Sequence, residues 1–536
     1  MVKRVTGDAI LIVVLLLFSW WLMAKSFGYD AGTSQFRIAR HEVGDFGLHI
    51  SLIRSFASGQ NRGPESPFFP GRPLVYHYAV DWLAGQMVKS GMRIDYALNG
   101  ISALALTLLL YGLYRLAILI SNGKKVAGLL SIALFVLPGN LSFIEILKQA
   151  PKNLSFFSYV WRFPDYLHKG PFDGSVITIY STLAPYLNQR HLIAGMAIAV
   201  WVIWVIVGWL DGNKRIPDSR WIIVGLLLGF ATRVHIVVAL ATGIMVVALL
   251  LGKRNKALIL LVGTAFLVAI PHLTQIISMR SAASLGQLWN PGYLASQPLS
   301  WASWIMFWIY NLGIFVILIP CAYRLTSEVG RRLLIGAGLL FLIANTVQIS
   351  YRIEHNHSLI NFATALSLPF IANLIMSWWQ KHGIAWRILT VSTVFLSITS
   401  GLFNLMVVKN DYQLMVDDAP KNRFMQWINT QTDSGSVFIA EPALYDPVTL
   451  AGRKNYLGHE YYVSVMGYDY WGRRKQIDMW LSNLNLSTIT EMKKHSIRYV
   501  VIPKERKDFQ YAWDNDTMDT LARVVYGDES VSVYEL

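Results

Sequence analysis

The sequence predicts an α-helical polytopic membrane protein of about eleven transmembrane helices, followed by a small C-terminal extracytoplasmic α/β domain. Three observations carry this expectation. Of 536 residues, 54% are hydrophobic and only 15% are charged, a balance unlike that of a large soluble protein. Apolar runs of about 17 to 25 residues, each long enough to cross roughly 30 Å of hydrocarbon, recur as far as residue 407. From residue 408 the chain turns mixed and polar, with short apolar stretches at 437–440 and 499–502 between helical patterns.

The expected spans are 9–25, 96–120, 126–147, 192–210, 221–232, 235–251, 257–273, 303–323, 332–349, 359–379 and 388–407. They define a transmembrane domain over 1–407, which includes a long first external loop at 26–95, and an α/β domain over 408–536. Lys3 and Arg4 precede the first run, as they would in a signal peptide, but no small-residue cleavage pattern follows it, so it reads as a retained anchor. The only cysteine is Cys321. No internal disulfide can form, and the outer domain must rest on packing.

Charge sets the orientation. The net charge is +15, which in such a chain reports basic cytoplasmic loops; nucleic acid is therefore not an expected partner, and the lipid bilayer is. If the spans alternate, Lys3 and Arg4, Lys124 and Lys125, Lys214, Arg215 and Arg220, Arg331 and Arg332, and Lys381 and Arg387 share one side. The N-terminus is then cytoplasmic and the C-terminal domain extracytoplasmic in a multi-pass protein of the cell membrane. Reading 221–251 as two short spans that turn at Arg233 keeps Lys253, Arg254 and Lys256 on the basic side.

Ionisable residues that interrupt the apolar pattern gather on the opposite side: Glu42, Asp45 and His49; His77 and Asp81; Gln189, Arg190 and His191; Arg233 and His235; His272; and Arg352, Glu354, His355 and His357. Such groups are expensive at membrane depth and tend to mark function. In the first loop, helical spacing would bring Asp45, His49 and Arg54 towards one face. His77 and Asp81 repeat the four-residue spacing on an aromatic-rich segment, and the proline-rich stretch 64–73 would fold the two helices together. In the C-terminal domain, 451–474 is dense in glycine, aromatic and charged residues, among them Arg453, Tyr462, Trp471 and Arg473. That composition suits either stacking on carbohydrate or ordinary packing.

An N-terminal span, a long first external loop with an acid soon after it, interfacial helices, further spans and a small outward C-terminal domain together resemble the GT-C glycosyltransferases. The motif-level match is the first-loop acid, which falls on Asp45. Many relatives carry two adjacent acids there, whereas Glu42 and Asp45 are separated by Val43 and Gly44. The Trp-Trp-Asp motif of oligosaccharyltransferases is missing, because Gln380 follows Trp378 and Trp379; transfer of a whole glycan to asparagine is not expected.

The resemblance implies an inverting transfer of a hexosyl or pentosyl group from a polyprenyl-phosphate donor to a glycan, lipid or protein acceptor. Asp45 would be the general base, and Arg190, Arg233 and Arg352 would bind the phosphate through planar bidentate guanidinium groups. Glu42, His49, His77, Asp81, His191, His235, Glu354 and His355 would line the donor and acceptor sites. A divalent metal would find ligand types at Glu354, His355 and His357, although no established metal spacing is matched. The competing classes are a lipid-linked sugar transporter or flippase, which would commonly show internal repeats, and a noncatalytic membrane assembly protein.

Cysteines placed at Gln60 or Thr520 are expected to react with an impermeant maleimide in intact cells, whereas one at Lys214 should react only after permeabilisation. Labelling of position 214 from outside would overturn the topology.

Overall fold

The computed structural model describes residues 2–151, 155–166, 176–180, 183–212, 217–250, 256–279, 288–350, 352–504, 511 and 515–536. The basic residues Lys214, Arg215, Lys253 and Arg254 lie outside them, as do the side chains of Lys3 and Arg4. The chain divides into two compact units: 1–26, 102–273 and 287–412 form one, and 27–101, 274–286 and 413–536 form the other.

The first unit is helical. Among the described residues, seven helices of the chain are long and apolar enough to cross a membrane: Gly7–Ser26, Ile94–Ile120, Arg190–Gly212, Lys256–Ser278, Glu328–Thr346, Ile353–Trp379 and Ile384–Asn410. Helices satisfy every backbone group internally, which hydrocarbon requires. The remaining expected spans are shorter or broken. Residues 126–147 are not one continuous span: the helix Lys125–Val136 stops before Pro138, and a second helix, Ser142–Gln149, follows. Proline disfavours helical geometry in the residue before it, and twelve residues rise only about 18 Å. The expected span 303–323 is bent by 85° between Trp301–Leu312 and Phe315–Leu325, at Gly313, whose φ is 56°. The region 221–251 is two helices, Asp218–Val234 and Ile236–Leu250, and the break falls at His235 rather than at Arg233.

Backbone groups released at the breaks are taken up locally. Ser400 Oγ donates to the Asn140 carbonyl at 2.7 Å and accepts from the Phe143 N–H at 3.1 Å, and Asn311 Oδ1 accepts from the Ile177 N–H at 2.7 Å. Gly139 and Gly401 permit this approach, since a Cβ on either would run into the facing backbone at Ser397 or Leu137. The core of the unit runs through Leu109, Leu192, Met245, Leu340 and Ile360.

The second unit joins the first loop to the C-terminal segment. Strands Phe27–Asp30, Gln35–Ala39 and Gln413–Asp417 make one antiparallel sheet, with Phe36 opposite Val416 and Ile38 opposite Leu414. A second sheet has five strands in the order Lys454–Asn455, Val437–Ile439, Ile497–Pro503, Val531–Glu535, Arg523–Gly527; the first three are parallel and the last two antiparallel. The short apolar stretches of the sequence are thus its central strands, and Val437, Phe438 and Val500 are fully buried there.

Two first-loop helices, Val43–Ala57 and Ala79–Lys89, pack closely. Gly85 makes room, since a Cβ there would lie 2.7 Å from Phe56 Cβ. On the first helix, Gly47 faces the Leu444 carbonyl so closely that no Cβ would fit, whereas Gly44 has open space around it. Gly47→Ala is therefore expected to cost about 1–3 kcal/mol through overpacking, while Gly44→Ala should be neutral or gain up to about 1 kcal/mol in helix propensity. Thermal unfolding of the two variants in one detergent checks this, and equal midpoints would contradict the close approach.

Candidate active site

In the loop unit, Asp45 lies in the first turn of helix Val43–Ala57, where the backbone N–H groups and the helix dipole favour a negative charge. Its carboxyl is hemmed in by protein, and this desolvation raises its pKa, with the nearby His49 pulling the other way. Some solvent access remains, as befits a group that must meet an acceptor. Tyr445 Oη donates to the Val43 carbonyl at 2.7 Å and Tyr462 Oη to the Gly44 carbonyl at 2.8 Å, so two tyrosines fix the turn that carries Asp45. Tyr76 also faces Asp45; its hydroxyl, like those of Tyr445 and Tyr462, has its pKa pushed up by burial first and by Asp45 second, and stays protonated near neutrality.

Below this turn, His49 and Asp81 are both buried and are joined by a 2.9 Å contact from Nδ1 to Oδ1. The pair links the two packed helices. Sequence spacing instead coupled Asp45 to His49 and His77 to Asp81. The second pairing does not form, because the helix begins at Ala79 and leaves His77 ahead of it, against Tyr76 with ring centres 3.9 Å apart and the planes tilted by 31°. Arg54, expected on the Asp45 face, reaches Asp418 at 2.9 Å. Glu42 is buried at the position that precedes the helix, so of the two acids Asp45 is the more accessible.

The aromatic segment 451–474 is largely used in packing. Tyr456, Tyr462, Tyr468 and Tyr470 are buried. Tyr468 stacks on Phe69 at 4.9 Å, Arg473 sits 3.3 Å above the same ring, and the Asn455 and Gly458 N–H groups donate to the Pro67 and Phe68 carbonyls. Arg453 is buried against carbonyls of 428–432. Trp471 remains exposed.

In the helical unit, His191 and His235 stack with ring centres 5.3 Å apart, which Gly195 allows by carrying no Cβ against His235. His357, absent from the sequence-based set of lining residues, lies 3.3 Å from Gln189 and 3.4 Å from Asn361 through its two ring nitrogens. Its signal in the sequence was its place beside Glu354 and His355. Those two have different partners: Glu354 is 2.5 Å from Arg352, and His355 Nδ1 is 2.9 Å from Ser350 Oγ. Tyr293, which the sequence did not mark, bridges Tyr180 and the Glu354 carbonyl at 2.7 and 3.2 Å.

The three arginines differ. Arg190 is fully buried and donates to Ser26 Oγ at 2.6 Å and to the Met23 carbonyl, anchoring helix Arg190–Gly212 to the end of the first helix. Arg233 is half-buried and donates to the Val268 carbonyl at 3.1 Å. The Arg352 side chain is about half-exposed.

No protein-family model and no curated protein sequence matches the chain. Solved structures do. The oligosaccharyltransferase of Archaeoglobus fulgidus in its apo form superposes with a TM-score of 0.50 at 11% identity, over 92% of this chain and 69% of that one. Arabinofuranosyltransferase AftD from Mycobacteria superposes with a TM-score of 0.53 at 12% identity, over 98% of this chain and 41% of that one. This chain is therefore equivalent to well under half of AftD. Both neighbours are GT-C glycosyltransferases. At such identities the likeness is one of fold, and the fold of this chain is the GT-C fold that its sequence resembles.

Proposed function

We propose that the chain is a membrane glycosyltransferase that moves a sugar from a polyprenyl-phosphate donor to an acceptor hydroxyl on the extracytoplasmic side, with Asp45 as general base. The carrying observation is Asp45 itself: a solvent-reachable carboxyl in a helix first turn, its pKa raised by burial and its backbone held by Tyr445 and Tyr462. The fold shared with two glycosyltransferases supports the reaction class. In the proposed step, Asp45 takes the acceptor proton as the acceptor oxygen attacks the anomeric carbon. The bond from that carbon to the phosphate oxygen breaks, the phosphate leaves with the electron pair, and the configuration inverts.

Arg352 and Arg233 are the candidates to meet the phosphate charge, by bidentate donation. Arg190 is left out of this role because Ser26 and Met23 occupy it. In the helical unit, His191, His235, Glu354 and His355 are proposed for donor binding; in the loop unit, Glu42 and His77 are proposed beside the base, with the buried His49 and Asp81 beneath it. Membrane orientation with the loop unit outside follows from the basic loops.

Asp45→Asn keeps the shape and removes the base, so transfer should fall by about 10²- to 10⁴-fold in a radiolabelled polyprenyl-phosphate sugar assay. Glu42→Gln should lose far less. The reverse order would move the base to Glu42, and full activity in both would leave neither acid as the base. Because a base must be deprotonated and Asp45 is shifted upwards, the rate should fall as pH drops through a midpoint above the ordinary aspartate range of about 3.9. Arg352→Lys and Arg233→Lys keep the charge but lose the fork geometry, and are expected to weaken donor binding by about 1.5–3 kcal/mol. Unchanged donor affinity in both would exclude them.

A further inference from the structure

The buried couple beneath Asp45 has no assigned task in the step above. His49 lies one helical turn after Asp45 on the same helix, and Asp81 reaches it from the neighbouring helix, with His49 Nδ1 2.9 Å from Asp81 Oδ1 and both side chains out of contact with solvent. A carboxylate at one imidazole nitrogen fixes the ring's orientation and tautomer, and stabilises the imidazolium form. We propose that Asp81 is a positioning residue that holds the His49 ring in place beneath Asp45 and so keeps Asp45 ready to accept a proton. This deepens the transferase reading and rests on Asp45 as its base.

The direction is fixed by the surroundings of Asp45. From its own helix it meets His49, with Glu42 just before the helix; from other elements it meets Tyr76, Tyr445 and Tyr462, with Asp81 and Tyr461 facing Tyr76. Tyr76, Tyr445 and Tyr462 remain neutral, so they do not set the charge around the base. Burial pushes Asp45 towards its protonated form, and the His49 charge opposes that push. Asp81 holds the ring by its 2.9 Å contact. Without Asp81 the ring is no longer held beneath Asp45, the opposing field weakens and Asp45 stays protonated to higher pH.

The test reads Asp45 directly. A hydrophobic carbodiimide modifies protonated buried carboxyls, and peptide mass spectrometry of the full-length protein in detergent gives the labelling of Asp45 along a pH series. In Asp81→Asn and in His49→Gln, the labelling midpoint should move upwards by about one pH unit, the low end of the effect of an adjacent opposite charge. The double variant should move no further than either single one. Asp81→Glu, which retains the carboxylate, should return towards the wild-type midpoint, a rescue that a purely structural role would not produce. An unchanged midpoint in folded Asp81→Asn overturns the proposal. If that variant does not fold, Asp81→Glu and His49→Gln decide: a shift confined to His49→Gln supports it, and equal midpoints overturn it. Since labelling does not depend on turnover, a normal shift alongside an active Asp45→Asn enzyme would remove Asp45 as the base while keeping the coupling between the three residues.

Discussion

The candidate base depends on how closely the Leu444 carbonyl can approach Gly47. A side chain at that position would force the segment carrying Tyr445 away from the helix and, with it, the hydroxyl that holds the Val43 carbonyl. Tyr462 passes through the same gap, its hydroxyl 2.8 Å from where a Gly47 Cβ would stand, to reach Gly44. Packing at one glycine thus sets the backbone of the turn that presents Asp45. The cost is the backbone freedom that glycine loses on folding, about 0.5–1 kcal/mol relative to alanine, and tyrosine burial along the same helix offsets it.

A similar economy governs the helical unit, where the breaks carry the irregular geometry. Backbone that leaves the helix at membrane depth is tolerated only where protein groups satisfy it. Ser400 serves two such groups at one break, and Asn311 meets the Ile177 N–H. Small residues stand where backbones cross, at Gly139, Gly313 and Gly401. The interruption before Ser142 is thus supported from a neighbouring helix, where Ser400 answers both the Asn140 carbonyl and the Phe143 N–H.

Much of the architecture was legible because its signals are local. Apolar run length marked the seven long helices, and β-rich stretches marked the strands at 437–439 and 497–503. What escaped was set by contacts between distant parts of the chain. Nothing near residues 27–39 announces that they will pair with 413–417. The span at 126–147 has enough apolar residues, and only Pro138 with Gly139 hints at the break. For the site, helical spacing placed Asp45 and His49 on one helix, but spacing within a segment cannot show that Asp81 would leave His77 and pair with His49 across a helix interface. The resemblance made Arg190 a phosphate-binding candidate, and only the fold shows it buried against Ser26 and the Met23 carbonyl.

The loop unit also bears on the choice between transferase and carrier. A transporter works by rocking internal repeats about a midplane site, and no internal repeat is evident in this sequence. Here the first loop and the C-terminal segment, separated by most of the chain, close into one unit through the three-stranded sheet, a shared aromatic core and the Lys454–Glu65 pair at 2.6 Å. Joining distant segments costs loop-closure entropy that grows only slowly with length, but it must still be met by packing. In the proposed transferase this construction has a use, because a base acts only when its carboxyl is held to within a fraction of an ångström of the acceptor oxygen. Two tyrosines on the turn, a buried histidine–aspartate couple beneath it and a glycine that admits the C-terminal segment are the kind of support such a constraint demands, and they converge on Asp45.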